Sequence, residues 1–431
     1  MTETRPEAPG GVLGDGLIGR LDERLAAADA MVLAAAQRDR TAAQPVHTVY
    51  LPAGDYAPGV APDWGRRAMA TLTTVAPDAR SLSAATGMDP ERVTAVWHLL
   101  LRKLYTSPIE DLRIDFEDGY GDPGDAVEDA DAARTGRHLA QDWHDGTAPA
   151  WVGIRFKSLE PGTRRRGLRT LDVFLAELLA GAGTLPAGLR LTLPKVISAD
   201  QVAAMAEVCD HLESGHGLTA GSLRFEVQIE TPQAILGPDG TATAARIIQA
   251  SEGRCCGLHF GTYDYTAALR IAAFQQRMDH PAADHAKAVM QVAAAAAGVP
   301  VSDGSSNVLP VGDPESVRSA WALHARLVRR SLDRGLYQGW DLHPAQLVTR
   351  YLATYDFYRS GAAPAGERVA AYLTRQAGGV LDEPATAAAL ADFLLRGLRC
   401  GALSEPEITA MCGAGVPTLR ALAARQPVTT L

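Results

Sequence analysis

The chain has 431 residues, of which 47% are hydrophobic, so it can bury a large core. Its 50 acidic and 41 basic side chains give a net charge of −9, which argues against a nucleic-acid partner because such proteins carry a basic surface. No apolar stretch approaches the ~20 residues that span a bilayer, and the N-terminus lacks the apolar segment of a signal peptide. Five cysteines without metal-ligand spacing suit a reducing compartment, so we expect a cytoplasmic protein with no membrane partner.

Hydrophobic periodicity predicts helices and strands in strict alternation. After a helix at 17–39, the predicted strands are 46–52, 111–117, 151–157, 189–196, 224–230, 255–260, 299–303 and 336–342. Further helices are predicted at 64–74, 89–105, 126–141, 167–181, 199–213, 241–251, 265–275, 282–297, 314–333 and 344–358. Eight strands that alternate with helices indicate an α/β protein with a (β/α)₈ TIM barrel rather than an open sheet.

The same pattern divides the chain into three predicted parts. Residues 1–44 form an N-terminal helical extension, residues 45–360 the catalytic barrel, and residues 361–431 a helical lid or tail. The glycine- and alanine-rich segment 361–366 is predicted to be the linker before that tail. Residues 53–108 are much longer than an ordinary strand connection and are predicted to be a helical insertion after the first strand.

Four predicted strands carry polar or charged side chains on the face opposite their apolar residues. In the strand at 224–230 the apolar positions alternate with Glu226, Gln228 and Glu230. Residues of the same kind lie near the C-terminal ends of three other strands, namely Asp115, Glu117, Arg155 and His343. Burying a carboxylate is costly unless it is paired, hydrogen-bonded or bound to a metal. A closed parallel barrel whose strand C-termini form the catalytic face accommodates this pattern.

Glu230 and Asp264 are the strongest candidates for metal ligands. They lie 34 positions apart, about one βα unit, so they should be neighbours at the mouth of the barrel. Two adjacent carboxylates repel unless they share a proton or a cation, and oxygen ligands favour Mg²⁺, with Mn²⁺ as the second choice. The alternative is a structural pair, in which Asp264 caps a helix and Glu230 forms a salt bridge inside the barrel.

Three further residues at strand ends have both a chemical and a structural interpretation. A buried Arg155 needs a carboxylate, which either the protein or a substrate can supply. Lys195 could form a Schiff base, but a charge-balancing role is favoured because nothing in the sequence marks it as desolvated. His343 could act as a base, although a lone histidine in this position is more often a hydrogen-bonded structural residue.

Six segments occur in order at successive strand ends and together resemble a known enzyme superfamily. They are Asp115-Phe-Glu117-Asp118, Ile-Arg155, Leu-Pro194-Lys195, Gln-Ile-Glu230-Thr231, Phe-Gly261-Thr-Tyr-Asp264 and His343-Pro344-Ala-Gln346. The set resembles the superfamily of the citrate lyase β-subunit, malyl-CoA lyase and malate synthase, which are Mg²⁺-dependent carbon–carbon lyases and synthases. The resemblance covers about residues 45–400.

The resemblance implies roles for the matching residues. Glu230 and Asp264 would bind Mg²⁺, and Arg155 would hold the substrate carbonyl or carboxylate and stabilise an enolate. Asp115 and Glu117 would orient Arg155. The expected substrate is a small carboxylate or an acyl-CoA. Two features depart from the family pattern: Lys157 stands where an asparagine is usual, and the first strand, which begins at His47 and leads to Pro52-Ala-Gly-Asp55, lacks the Arg-Ser start and the Pro-Gly-Asn turn that helps to bind coenzyme A.

Asp382 matches an aspartate in the family's C-terminal lid. Its structural interpretation is a carboxylate at a helix N-terminus, which the helix dipole favours. The resemblance implies instead that Asp382 closes over the active site of a neighbouring subunit and exchanges a proton with the substrate. The protein would then be a homo-oligomer.

The residues and the resemblance together predict a Mg²⁺-dependent carbon–carbon lyase or the reverse condensation, acting on a 2-oxo or 3-hydroxy acid or its thioester. One alternative is phosphoryl transfer with phosphoenolpyruvate or pyruvate on the same barrel, for which the run 164–166 of three arginines is the only candidate phosphate site. A second alternative is a metabolite-binding protein without catalytic activity.

Overall fold

A computed structural model of the chain describes residues 13–37, 43–374, 383–426 and 428. Its centre is a barrel of eight parallel strands in the order β7-β6-β5-β4-β3-β2-β1-β8. The strands are β1 (His47–Pro52), β2 (Asp111–Asp115), β3 (Trp151–Arg155), β4 (Leu189–Leu193), β5 (Phe225–Ile229), β6 (Cys255–Phe260), β7 (Val301–Ser302) and β8 (Gly339–Asp341). A parallel bridge between Ser302 and Gln338 joins the two end strands, so the barrel is nearly closed and the predicted (β/α)₈ fold is confirmed.

Helices surround the barrel and extend the chain at both ends. In the described residues they are α1 (Asp15–Gln37), α2 (Val60–Val75), α3 (Ala79–Thr86), α4 (Pro90–Thr106), α5 (Asp125–Asp145), α6 (Arg164–Ala182), α7 (Ala199–His216), α8 (Pro232–Ile235), α9 (Thr243–Ala250), α10 (Thr262–Ala268), α11 (Pro281–Ala297), α12 (Pro314–Asp333), α13 (Gln346–Thr374), α14 (Pro384–Cys400), α15 (Glu405–Cys412) and α16 (Val416–Ala423). No helix in these ranges is long and apolar enough to cross a membrane.

The strands have two chemically different faces. Their outward residues, such as Leu112 and Ile114 of β2, are fully buried in the main hydrophobic core between the strands and the helices. The inward residues include Arg113 and Glu226, which are 1% and 3% exposed. The barrel is therefore held by apolar packing on the outside and by ion pairs on the inside, as the alternation of the sequence predicts.

Several strands end earlier than the sequence predicts, and β2 shows the reason. The prediction extended this strand to residue 117, whereas the ladder ends at Asp115. The Asp115 carboxylate accepts hydrogen bonds from the backbone N–H of Glu117 at 3.0 Å and of Gly119 at 2.9 Å. The side chain thus takes the place of a strand partner and turns the chain at the rim of the barrel.

The segment between β1 and β2 forms three helices rather than the two predicted. The additional helix, α3, is only eight residues long and begins with a capping box between Asp78 and Ser81. α2, α3 and α4 pack on one another and on α12 and α13, beside the closure of the barrel. The prediction of a helical insertion after the first strand is therefore confirmed, although the number of its helices differs.

The linker predicted at 361–366 is wrong, because α13 runs without a break from Gln346 to Thr374 and contains Pro364. The small residues of this segment form a contact face. A β-carbon added to Gly361 would lie 2.6 Å from Phe393, and one added to Gly366 would lie 2.6 Å from Met411. The second half of α13 packs with α14, α15 and α16 around a separate hydrophobic core.

Candidate active site

Six of the predicted site residues come together at the C-terminal ends of five neighbouring strands. Asp115 ends β2 and Arg155 ends β3, while Lys195 and Glu230 follow β4 and β5. Glu117 follows Asp115, and Asp264 lies in the first turn of α10, directly after β6. Because β2 to β6 are consecutive in the barrel, their C-terminal ends bring these side chains to one part of the rim.

A bidentate ion pair between Arg155 and Asp115 anchors the group. Nε and Nη2 of Arg155 donate to Oδ1 and Oδ2 of Asp115, each at 2.7 Å, and both side chains are buried. The Arg155 guanidinium also lies 4.8 Å from the centre of the Tyr50 ring. Burial alone would lower the pKa of Arg155, but the charges of Asp115 and Glu117 outweigh it and raise this pKa well above its ordinary value.

The remaining nitrogen of Arg155 is held less tightly. Its Nη1 lies 3.3 Å from Oε2 of Glu117 and donates to Oε1 of Gln228 at 3.4 Å. The amide of Gln228 also donates from Nε2 to Oε2 of Glu230 at 3.0 Å. Gln228 therefore connects Arg155 to Glu230, and Nη1 is the part of the guanidinium with the weakest protein contacts.

Glu230 is a buried carboxyl group next to other acids. It is 2% exposed, and its Oε1 accepts a hydrogen bond from the backbone N–H of Lys195 at 2.7 Å. Burial, reinforced by the nearby charges of Glu117 and Asp264, raises the pKa of Glu230 to about 8, although Lys195 and Arg155 act in the opposite direction. A further cation bound next to this carboxylate would stabilise its charged form.

Lys195 balances charge among three of the acids. Its Nζ lies 2.9 Å from Oε1 of Glu117, 3.2 Å from Oδ1 of Asp118 and 2.8 Å from Oδ2 of Asp264. Burial would lower its pKa, but the surrounding carboxylates, first of all Glu230, raise this pKa above the ordinary value. An ammonium held in this way stays protonated, so the geometry favours the charge-balancing interpretation over a Schiff base.

The donor groups fit a divalent cation in chemistry and in charge. Five carboxyl groups face two cationic side chains, which leaves three excess negative charges when all are ionised; the acids are Asp115, Glu117, Asp118, Glu230 and Asp264, and the cations are Arg155 and Lys195. Oxygen-only donors suit Mg²⁺. Within the described ranges no three His, Cys, Asp or Glu side chains are arranged to hold a metal. Glu230 and Asp264 would hold Mg²⁺ once the Lys195 ammonium moves away from Asp264.

His343 has no polar contact with this group in the part of the chain that the structure describes. Nδ1 of His343 accepts a hydrogen bond from the backbone N–H of Ala345 at 3.2 Å, just before α13. Burial, and to a smaller extent the charge of Arg67, lowers the pKa of His343. No hydrogen bond or ion pair of the described residues links His343 to Arg155 or Lys195. Asp382 lies outside the described residues, so its predicted role stays a prediction.

Two residues of the site had no assigned role from the sequence. Gln228 occupies the inward face of β5 two positions before Glu230, so the strand alternation contained the signal that places it in the site. Tyr50 lies on β1 and packs against both Arg155 and Trp340, and the Tyr50 and Trp340 ring centres are 4.5 Å apart. An aromatic residue in a strand does not by itself indicate that it faces the barrel interior.

Among the solved structures that are similar to this chain, a citrate lyase supports the fold. A citrate lyase from Burkholderia xenovorans LB400 matches with a TM-score of 0.54 at 18% identity, covering 86% of this chain and 96% of that chain. The protein CitE from Mycobacterium tuberculosis, solved with magnesium, acetoacetate and coenzyme A, matches with a TM-score of 0.48 at 17% identity, covering 84% and 100% of the two chains. A malate synthase from Haloferax volcanii matches with a TM-score of 0.49 at 18% identity, covering 74% of each chain.

The predicted resemblance in fold is confirmed by the citrate lyase match, and at this identity it concerns the fold alone. A search of the curated proteins found no match. At the level of sequence, a family described as "Domain of unknown function (DUF6986)" matches residues 25–427. The match spans nearly the whole chain, and the protein belongs to this family.

Proposed function

We propose that the protein is a Mg²⁺-dependent carbon–carbon lyase, or the corresponding condensing enzyme, acting through an enolate. The substrate class is a small 2-oxo or 3-hydroxy acid, free or as a coenzyme A thioester. The observation that carries this proposal is the buried Arg155–Asp115 pair beside the acid-rich group of Glu230 and Asp264 at the strand C-termini. The likeness in fold to a citrate lyase agrees with it.

In this proposal Arg155 binds a substrate oxygen in a prearranged geometry. Asp115 holds Nε and Nη2 and is itself held by two backbone N–H groups, so the guanidinium cannot rotate freely. Nη1, with its longer contacts, is then free to donate to an oxygen on which negative charge develops. A donor that is already in place needs no reorganisation when the charge forms.

Glu230 and Asp264 would hold Mg²⁺, which would act as a Lewis acid on the substrate carbonyl. After leaving Asp264, the Lys195 ammonium would keep its positive charge beside Glu117 and Asp118, which its Nζ also contacts. Asp382, with His343 as the alternative, is the proposed proton carrier, and Asp382 would act on a neighbouring subunit of a homo-oligomer.

The first test is a metal-dependent activity screen. The purified protein with Mg²⁺ or Mn²⁺ is incubated with oxaloacetate, pyruvate or glyoxylate, with and without acyl-CoA donors, and products are followed by mass spectrometry. We expect turnover that EDTA abolishes and that Mg²⁺ restores. Glu230→Gln and Asp264→Asn should each lose activity by about 10²-fold or more, because each removes half of the charge that binds the metal.

The matched control is Asp239→Asn, which changes an exposed carboxylate paired with Arg246 and should leave turnover unchanged. Turnover that survives EDTA, or that survives both site variants, rules the mechanism out. Loss of Mg²⁺ binding in Glu230→Ala without any detectable turnover in the wild type would favour a metabolite-binding protein instead.

Phosphoryl transfer is less well supported because the candidate phosphate site is largely engaged. Arg166 forms ion pairs with Asp129 and with Glu128, and Arg164 donates from Nε to the carbonyl of Leu159 at 3.0 Å. The Arg166 ion pairs fix the start of α6 against the neighbouring α5, and the Arg164 hydrogen bond ties it to the preceding loop. Arg164 and Arg166 therefore have structural roles in the fold.

Gly261 provides a second test of the Glu230 position. A β-carbon at residue 261 would lie 2.5 Å from both Cβ and Oε2 of Glu230, so the carboxyl group would have to move. We expect Gly261→Ala to keep the far-ultraviolet circular dichroism of the wild type but to lose roughly tenfold or more in kcat/KM, since small displacements at a site are costly. Gly162→Ala is the control, because a β-carbon there meets no atom within 4 Å. Equal activity of the two variants would contradict the assignment.

A further inference from the structure

A large cavity opens at the end of the barrel opposite Arg155. Its volume is about 1130 Å³, and its lining residues include the first residues of β2, β3 and β6, together with the segments that precede β5, β7 and β8. We call it the basal cavity. This volume is slightly above the range of roughly 300–1,000 Å³ that is usual for small-molecule sites, so the cavity has room for a small metabolite.

The charge of the basal cavity is opposite to that of the whole protein. Four arginines and two carboxylates line it, in a chain whose net charge is −9; they are Arg113, Arg190, Arg224, Arg396, Asp111 and Glu226. Arg113 lies between Asp111 and Glu226 and forms an ion pair with each, which leaves one formal negative charge among these three residues. Arg396 forms an ion pair with Asp392, so the excess positive charge of the cavity comes from Arg190 and Arg224.

Two of these arginines have unused hydrogen-bond donors. Arg190 donates from Nη1 to the carbonyl of Leu189 at 2.8 Å, and neither Arg190 nor Arg224 has an acidic partner within the part of the chain that the structure describes. Burial raises the pKa of the Cys256 thiol to about 11, and the positive charges of Arg190 and Arg224 counteract part of this rise. Leu191 pairs with Phe225 in the β4–β5 ladder and its backbone N–H donates to the carbonyl of Arg224 at 3.1 Å, so Arg190 and Arg224 are neighbours at the start of these two strands. Both arginines and Cys256 line the basal cavity.

The deep wall of the basal cavity supplies another unused polar group. His259 is 2% exposed, and its Nε2 contacts Oε2 of Glu226 at 2.5 Å, whereas its Nδ1 has no hydrogen-bond partner among the described residues. Leaving a buried polar atom unpaired costs about 1–3 kcal/mol. A polar ligand or a bound water in the cavity would remove that cost.

The basal cavity is separated from the site around Arg155. Arg113 with its partners Asp111 and Glu226 crosses the barrel above the cavity. The tilted rings of Tyr50 and Trp340 fill the interior next to the Arg155 guanidinium. The side chains of Arg113, Tyr50 and Trp340 are all buried. A molecule in the basal cavity therefore does not reach the residues of the proposed reaction.

We propose that the basal cavity is a second ligand site, which binds a small dianion through Arg190 and Arg224. Guanidinium groups form charge-assisted, often bidentate hydrogen bonds with phosphate and carboxylate oxygens, and both ligand classes carry the required charge. The cavity walls and the negative net charge of the protein favour a small molecule over a nucleic acid. The site is independent of the proposed lyase activity.

Isothermal titration calorimetry of the full-length protein with inorganic phosphate and with malonate tests the proposal. We expect saturable binding of at least one of the two anions, and the identity of the anion separates a phosphate ligand from a dicarboxylate ligand. The double variant Arg190→Gln/Arg224→Gln should bind that anion roughly tenfold or more weakly, because it loses two charge-assisted donors. Arg246→Gln, which changes a surface arginine outside the cavity, should bind like the wild type.

Cys256 gives a readout that does not depend on the variants. It is half-buried while the other four cysteines of the chain are buried, so N-ethylmaleimide should reach it first, and the reaction is followed at alkaline pH because the raised pKa keeps the thiol protonated at pH 7. We expect saturating anion to slow this modification by about fivefold or more in the wild type, as ligand contact with the guanidinium groups shields the thiol. The proposal is overturned if neither anion gives a binding signal in calorimetry and neither slows the modification of Cys256. Binding that persists unchanged in the double variant overturns it as well.

Discussion

Replacement of Arg155 by lysine is expected to lower kcat of the proposed lyase reaction by about 10²–10³-fold, the loss typical of removing one donor to a developing oxyanion. Lysine keeps the positive charge but presents one nitrogen, so it cannot bind both oxygens of Asp115 and also direct a second N–H to the substrate. Mg²⁺ binding should persist, since Glu230 and Asp264 are unchanged. Steady-state kinetics at saturating Mg²⁺, together with calorimetric Mg²⁺ titration, measure the two effects separately.

The control is Arg169→Lys, which alters an exposed arginine near Asp129 and Asp172 and should leave kcat unchanged. Thermal unfolding of both variants shows whether a loss of activity reflects a loss of structure. An Arg155→Lys variant that unfolds like the wild type and retains its kcat within about twofold would remove Arg155 from the proposed mechanism.

The barrel could be predicted from the sequence because each strand carries its own local signal. Apolar residues at alternate positions and helical segments between the strands are local properties of the chain. The strand ends were less accurate, since the Asp115 side chain replaces the ladder partners of β2 beyond that residue. The linker at 361–366 was wrong because glycine and alanine serve close helix packing as well as turns.

Six residues of the candidate site could be predicted to lie together, but the contacts that connect them could not. Glu230 and Asp264 were expected side by side because they follow consecutive strands, yet the structure joins them through Lys195, whose backbone N–H binds Glu230 and whose Nζ binds Asp264. Lys195 has a positive φ of 51°, which is uncommon for a residue other than glycine. No pattern of residue types indicates such a backbone conformation, so this link required the three-dimensional structure.

The buried ion pairs inside the barrel lead to a prediction about stability. Glu226 is 3% exposed and pairs with Arg113, while Thr192 donates to its Oε1 at 2.9 Å and His259 contacts its Oε2. Burial alone would raise the pKa of Glu226, but Arg113 and then His259 outweigh it and lower this pKa from 4.5 to about 2. The carboxylate therefore stabilises the fold, and neutralising it leaves Arg113 with Asp111 as its one remaining acidic partner.

We expect Glu226→Gln to lower the free energy of unfolding at pH 7 by about 3 kcal/mol, the size associated both with this pKa shift and with breaking a buried ion pair. Because the pKa of Glu226 is lower in the folded state, its carboxylate stabilises the fold at pH values above 4.5, the pKa in the unfolded chain. This contribution fades as the pH falls toward 2, the pKa in the folded state. Asp111 acts in the opposite direction, because burial raises its pKa. The difference between variant and wild type should therefore be largest from pH 6 to 7 and should shrink at pH 3.

Urea unfolding followed by circular dichroism at pH 7, 5 and 3 measures this difference. Glu207→Gln, an exposed position on α7, should unfold like the wild type at every pH. A Glu226→Gln variant as stable as the wild type at pH 7 would show that Arg113 is adequately neutralised without Glu226. A large difference that stays constant down to pH 3 would show that Glu226 acts through packing and hydrogen bonds, since only the charge of the carboxylate is lost on protonation.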